Sequence, residues 1–299
     1  MKKYLSPFKV SIIGVGLIGG SFGLALKKKR LVGQVVGIGR HIHKLKEAKR
    51  LGAIDSYTTD FARGVKDSDI VMVAAPVGKI PLIVKRILPH LKEGCIITDV
   101  GSTKEKVVKK VHEILLKSSG KGRRPKVSFI GGHPMAGSEK QGVRNARADI
   151  FSGTTCVLTP ADKNGRKAAK VIRDLWRRMG ARILLLKPEE HDYLVAYTSH
   201  LPHVLASILA NLMGRVCKED LRASRAIAGS ISDMTRIAAS NPEMWIDICL
   251  SNNKAISESI NVMIKHLEKF KKSIEKKRKR EIQDLFHKGR LARRKLIGS

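Results

Sequence analysis

Aromatic and acidic side chains are both scarce in this chain of 299 residues: aromatics make up 4% of it, and 26 aspartates and glutamates face 59 lysines and arginines. The four cysteines, Cys95, Cys156, Cys217 and Cys249, lie far apart in apolar surroundings. That spacing excludes a disulfide framework or a cysteine-built metal site and points to reduced thiols in a cytoplasm. No run approaches the roughly 20 apolar residues of a membrane span, and Met1-Lys2-Lys3 leads into a strand rather than into a signal-peptide apolar region, so an unsecreted protein without a membrane partner is expected. The formal net charge of +33 predicts attraction to polyanions at low salt. Yet the chain carries no RNA-binding sheet signature, finger spacing or recognition-helix pattern, so the charge reads as a mostly solvated surface and nucleic acid as a nonspecific partner at most.

Strand and helix signals alternate through the first two thirds. Phe8 to Gly14 is a short β-rich run, followed by a helical segment from Leu17 to Arg30. Strands are expected at Gln34 to Gly39, Ile70 to Ala74, Cys95 to Val100, Val127 to Ile130, Thr154 to Thr159 and Ile183 to Leu186. Helices are expected at Ile42 to Leu51, Lys79 to Leu91, Lys104 to Lys117 and about Asp162 to Met179, with Gly120 to Pro125 a basic loop. Continuous apolar strands separated by helices indicate a doubly wound, mostly parallel sheet of the Rossmann type. Past Lys187-Pro188 the strand signal stops, and the spacing becomes helical. Two domains are predicted, 1–187 binding a dinucleotide and 188–299 helical, the latter for substrate and dimerisation with a basic C-terminal tail. In that tail an apolar stripe from Ile256 to Ile274 reads as core or dimer seam, and Lys276 to Arg280 as exposed.

Gly14-Val15-Gly16-Leu17-Ile18-Gly19 is a GxGxxG placed directly after a strand and at the start of a helix. Its glycines permit a tight turn and close backbone approach, and the helix N–H groups face a pyrophosphate. About 20 residues past the last glycine, an acid would hold the ribose 2′-hydroxyl of NAD and repel a 2′-phosphate. That place falls to Gly39, followed by Arg40, which favours NADP over NAD. Pro76, after the next strand, completes the cofactor edge.

Four further segments converge: Asp99-Val100-Gly101-Ser102-Thr103-Lys104, Gly131 to Glu139 reading GGHPMAGSE, Ser199-His200-Leu201-Pro202-His203, and Asp233-Met234-Thr235-Arg236 with Trp245 downstream. In this order the set resembles the prephenate/arogenate dehydrogenase family of tyrosine biosynthesis. The resemblance implies a Rossmann domain, a helical domain that forms a homodimer, a nicotinamide cofactor and a small-molecule substrate, prephenate or arogenate, held between the domains. It assigns the catalytic base to His133 and a hydrogen bond to the same substrate hydroxyl to Ser102. It places His203 beside the substrate carboxylates, makes Arg236 their cationic grip, Glu139 a gate and Trp245 a wall, and has Asp192 orient or charge a neighbouring group.

The residue types suit that chemistry independently. A neutral imidazole, which ordinarily titrates at about 6.5, can take a hydroxyl proton at physiological pH, and a planar guanidinium grips a carboxylate better than an ammonium does. Asp192, Ala196, Ser199 and His203 share one face at helical spacing, with Pro202 placed to kink it. His191, His200 and His203 complete no metal-ligand pattern, and no metal is expected. One departure from the family stands out: Ala228 to Ser232 offers only small and hydroxyl groups where many relatives have a basic or glycine-rich stretch. A β-hydroxyacid dehydrogenase is the rival enzyme, and against it the Asp192 to His203 face lacks the lysine such enzymes place there. A polyanion-binding protein using the basic tail is the alternative of a different class.

Overall fold

The computed structural model describes residues 8–119, 126–137, 140–160 and 166–297. They form two compact units, dividing between Asn253 and Lys254. The basic loop expected at Gly120 to Pro125 and the start of the helix expected at Asp162 lie outside the described residues.

The first unit is organised by a sheet of eight strands in the order β3-β2-β1-β4-β5-β6-β7-β8. These are β1 (Lys9–Ile13), β2 (Gln34–Ile38), β3 (Ser56–Thr58), β4 (Ile70–Val73), β5 (Ile96–Asp99), β6 (Ser128–Pro134), β7 (Thr155–Pro160) and β8 (Arg182–Leu185). All neighbours run parallel except β6 and β7, which pair antiparallel with His133 opposite Val157. Successive strand residues point to opposite faces, so each apolar strand feeds two cores. Val10, Ile12, Ile70 and Met72 meet Phe22 and Leu26 of α1 (Leu17–Lys28) and Trp176 of α6 (Arg166–Arg178) on one face. There Trp176 packs on Phe22 and Phe151, with ring centroids 5.3 and 5.0 Å away. Val71, Val73 and Ile97 meet Ile80, Val84 and Ile87 of α4 (Ile80–Ile87) and Val107 and Val111 of α5 (Glu105–Ser119) on the other. Smaller helices, α2 (Ile42–Arg50) and α3 (Phe61–Val65), follow β2 and β3.

The single helix expected from Lys79 to Leu91 is three pieces: 3₁₀ turns at Val77–Lys79 and Leu88–His90 flank α4. Pro89 has no backbone N–H to continue an α-helix, which accounts for the second break. After β8 the unit is helical: α7 (Pro188–Val195), a π-turn at Ala196–His200, α8 (Leu201–Glu219), α9 (Arg222–Arg225), α10 (Gly229–Thr235), a 3₁₀ turn at Arg236–Ala239 and α11 (Pro242–Ser251).

The second unit holds most of α12 (Asn253–Glu275) and all of α13 (Lys279–Ile297). Lys277, at φ 51°, ends α12 in the left-handed region. Phe270 and Phe286 meet edge to face across the two helices, and Ser273 Oγ donates to Glu281 Oε2 at 2.5 Å. The apolar stripe of α12 is largely in water, with Ile264, Leu267 and Ile274 exposed. Lys276 to Arg280 is exposed as expected.

Candidate active site

The carboxyl ends of β1, β4, β5 and β6 lie side by side, the edge at which open parallel sheets bind ligands. At the end of β1 the chain must turn sharply. Gly14 adopts φ +93°, and a Cβ there would sit 2.1 Å from the carbonyl oxygen of Ala74. A Cβ on Gly19 would fall 2.1 Å from the Gly14 oxygen, so no other residue fits at either position. A Cβ on Gly16 meets nothing within 4 Å, so that flank of the turn is open. Gly16 caps α1 without a side-chain partner, no acid stands in the helix's first turn, and Leu17 and Ile18 open the helix half-buried. Free N–H groups and the positive end of the helix dipole thus lie beside open space, as a dinucleotide pyrophosphate requires. Gly39 follows β2, Arg40 and Pro76 are exposed, and no acid occupies the end of β2. The residues fit a nicotinamide dinucleotide.

Next to this edge lies a connected set of buried polar groups. His133, half-buried one residue before the end of β6, has its Nδ1 2.8 Å from His191 Nε2. His191 Nδ1 donates to Asp192 Oδ1 at 2.7 Å. Asp192 accepts two more hydrogen bonds, from the backbone N–H of Lys104 at 2.7 Å and from that of Glu105 at 3.0 Å. It thereby caps α5 from a distant helix and pins the Ser102 turn, in which Ser102 is half-buried. Lys104 and Asp99 form an ion pair with no exposed surface. Asp99 also accepts from Gly101 N at 2.8 Å and Gly132 N at 3.0 Å. Desolvation, then the positive surroundings of His191, Lys104 and His200, hold His133 well below the usual imidazole range. Desolvation likewise lowers His191, against the pull of Asp192, and takes His200 down to about 4.

The π-turn Ala196–His200 inserts an extra residue before α8 and turns the face that regular helical spacing would have made continuous. Asp192 looks into the α5 cap, whereas His203 stacks on Trp245 with ring centroids 4.2 Å apart. His203 Nδ1 donates to Ser199 O at 2.9 Å, which leaves Nε2 as its free nitrogen. Ser199 is half-buried. His200 is buried, edge-on to Trp245 and 3.2 Å from Asn252 Nδ2, which also donates to Asp192 O at 2.7 Å. Arg236 is exposed and is not ion-paired with Asp233. Glu139 lies outside the described residues.

Three participants are not announced by the sequence. His191 reads there only as a candidate metal ligand, although among the described residues no group of three or more His, Cys, Asp or Glu side chains is placed to hold a metal ion. Lys104 and Asn252 carry no signal beyond their neighbourhood to Ser102 and α12.

Two family profiles match the chain: "Prephenate dehydrogenase, nucleotide-binding domain" over residues 22–185 and "Prephenate dehydrogenase, dimerization domain" over 187–288. The chain is 35% identical to the prephenate dehydrogenase of Bacillus subtilis over 268 residues, which span 89% of this chain and 70% of that protein. It is 33% identical to the cyclohexadienyl dehydrogenase of Zymomonas mobilis over 272 residues, 90% of each chain. The crystal structure of prephenate dehydrogenase from A. aeolicus, in complex with hydroxyphenyl propionate and NAD+, superposes with a TM-score of 0.89 at 32% identity, over 98% of this chain and all of that one.

Proposed function

The chain belongs to the prephenate dehydrogenase family, and from that premise we propose that it oxidatively decarboxylates prephenate to 4-hydroxyphenylpyruvate in tyrosine biosynthesis, using NAD or NADP. The observation that carries the reading is the placement of His133, an imidazole that burial holds well below its usual titration range, at the ligand-binding edge of a sheet whose first turn is a dinucleotide cradle. Arogenate is the second reading, supported by the likeness to a probable arogenate/prephenate dehydrogenase, 28% identical over 251 residues.

Prephenate carries a hydroxyl on C4 and a carboxylate on the opposite ring carbon. When bound, the oxidised nicotinamide supplies an acceptor for the C4 hydride. His133 takes the hydroxyl proton as C4 becomes a carbonyl, a role general bases fill with about 10² to 10⁴ in rate. The bond to the carboxylate then breaks, CO₂ leaves, and its electron pair passes through the ring to the C4 oxygen, which recovers the proton from the imidazolium. Aromatisation drives this step without a further protein group. Ser102 hydrogen-bonds the C4 hydroxyl, while His203, with Nε2 free, and the unpaired Arg236 hold the substrate carboxylates. Ser199 and Trp245 shape the same wall, Glu139 gates it, and Asp192 acts behind His133.

We place the boundary between the nucleotide and substrate domains at 187/188, a reading supported by family profiles that cover residues 22–185 and 187–288. The protein is proposed to work as a cytoplasmic homodimer through its helical part, with nucleic acid bound only nonspecifically by its net charge of +33. No helix among the described residues is long and apolar enough to cross a membrane. The direct test is absorbance of reduced nicotinamide with prephenate and arogenate, each crossed against NAD and NADP. Reduction with neither substrate would sink the assignment.

A further inference from the structure

Asp192 is buried together with His191, and its carboxylate is used three times: by the imidazole of His191 and by the backbone N–H groups of Lys104 and Glu105. A carboxylate that accepts from His191 Nδ1 requires the proton on that nitrogen. Neutral His191 then presents a lone pair at Nε2, 2.8 Å from His133 Nδ1. That lone pair in turn requires a proton on His133 Nδ1, which leaves His133 Nε2 bare. We infer that His191 and Asp192 are positioning residues that set the tautomer of His133, so that its Nε2 is the basic nitrogen, and that Asp192 couples this setting to the turn carrying Ser102. The inference rests on His133 being the base.

The consequence is a chain of one carboxylate and two imidazoles in which each member orients the next. When His133 takes up a proton, its Nδ1–H points at an acceptor already polarised by a negative charge, which stabilises the imidazolium in surroundings that otherwise disfavour it. The capping bonds mean that Asp192 cannot swing away from His191 without releasing the first turn of α5. The tautomer of the base and the position of Ser102 are therefore set by one side chain. Asn252 adds a brace, since its amide donates to the Asp192 carbonyl.

The effect is testable because the chain needs its carboxylate. Asp192 Oδ1 accepts from both His191 Nδ1 and the backbone N–H of Lys104, so an asparagine oxygen in that place would keep the wild-type order, and the informative change is Asp192→Leu. There no acceptor faces His191 Nδ1, nothing fixes the proton on it, and neither imidazole is held in one tautomer. Histidine labelled with ¹⁵N, in the full chain with cofactor bound, reports the tautomer directly: wild-type His133 should show a protonated Nδ1 and a bare Nε2, and Asp192→Leu a mixture of the two forms. The same variant should lose kcat by about 10² to 10⁴, as expected for a base in the wrong tautomer, with cofactor affinity near wild type and a lowered thermal midpoint, because α5 loses its cap. His191→Phe should lose a comparable factor, and His191→Gln, whose amide oxygen can accept from His133 Nδ1, should recover about tenfold of it.

A folded Asp192→Leu protein whose His133 keeps only the wild-type tautomer overturns the proposal. So does a folded His191→Phe enzyme with kcat within about threefold of wild type, a change too small for a lost orienting group. The nitrogen shifts do not depend on turnover. An error in the base assignment, seen as undiminished turnover in His133→Asn, is thus separable from an error in the relay.

Discussion

Lys104 and Asp99 are ion-paired with neither side chain exposed, and the same aspartate accepts the backbone N–H of Gly132, the residue before His133. A charge pair fixed in this way ties the Ser102 turn to the strand that carries the base. Breaking a buried pair from one side leaves an uncompensated charge, at a cost of about 3 to 5 kcal/mol. Lys104→Met should therefore lower unfolding free energy by about that amount in denaturant titration. A loss below about 1 kcal/mol, the scale of an exposed pair, would show that water reaches the site.

The histidines give stability a direction in pH. His133, His191 and His200 all have pKa values below the ordinary 6.5, His200 at about 4, because burial disfavours the imidazolium. Below pH 6.5 the unfolded chain takes up protons that the folded chain refuses, so stability is full above that value and falls as pH drops towards about 4. Thermal midpoints measured between pH 7.5 and 4.5 should decline through this window, and less steeply in His200→Asn. For catalysis the same shift keeps His133 neutral, and the acid limb of kcat/KM should lie below 6.5. A limb at or above 6.5 would mean that a different group titrates.

Arg236 is exposed and free of Asp233, which leaves its guanidinium available to an anionic substrate. Arg236→Ala should raise KM far more than it lowers kcat, while thermal stability stays near wild type. Arg236→Lys should recover only part, because an ammonium cannot make the paired hydrogen bonds of a guanidinium. Loss of stability with an unchanged KM would make the residue structural.

Ile208 and Leu212, one turn apart on α8, are 60% and 45% exposed, within the segment matched to a dimerisation domain. Apolar residues left in water at this spacing suit a partner helix. Ile208→Glu with Leu212→Glu should shift sedimentation towards the monomer. A wild-type chain that sediments as a monomer at micromolar concentration would remove the dimer from the proposal.

The doubly wound sheet was legible because β1, β2, β4 and β5 are short, uninterrupted apolar runs, and GxGxxG has meaning only between a strand and a helix. β3 was not, since Ser56-Tyr57-Thr58 is too short to show a period and is held at the edge by pairing with β2. Nor does anything in Thr155–Pro160 announce that it runs against β6, because a strand covered on both faces has the same composition in either direction. In the site, His133 stood out through its neighbours, but its partner His191 is 58 residues away and Asp192 reaches 88 residues to its cap. Side-chain contacts across such separations are created by the fold, and helical spacing alone is misleading at the π-turn.

Cofactor choice rests on the end of β2, where Gly39 occupies the usual acidic position and Arg40 is exposed beside it. Nothing there repels a 2′-phosphate, and one guanidinium can pair with it, so NADP should give the higher kcat/KM. Gly39→Asp with Arg40→Ile should swing the ratio towards NAD by supplying an acceptor for the ribose hydroxyl and removing the phosphate partner. The added side chain is tolerable: a Cβ at Gly39 comes 3.3 Å from Leu45 Cδ2, the movable end of a flexible residue. The net charge of +33 draws both dinucleotides alike, so the ratio of specificity constants is the quantity to compare, not either affinity alone. A wild-type enzyme that strongly favours NAD, with Arg40→Ala leaving the ratio unchanged, would place Arg40 away from the cofactor and overturn this reading of the strand end.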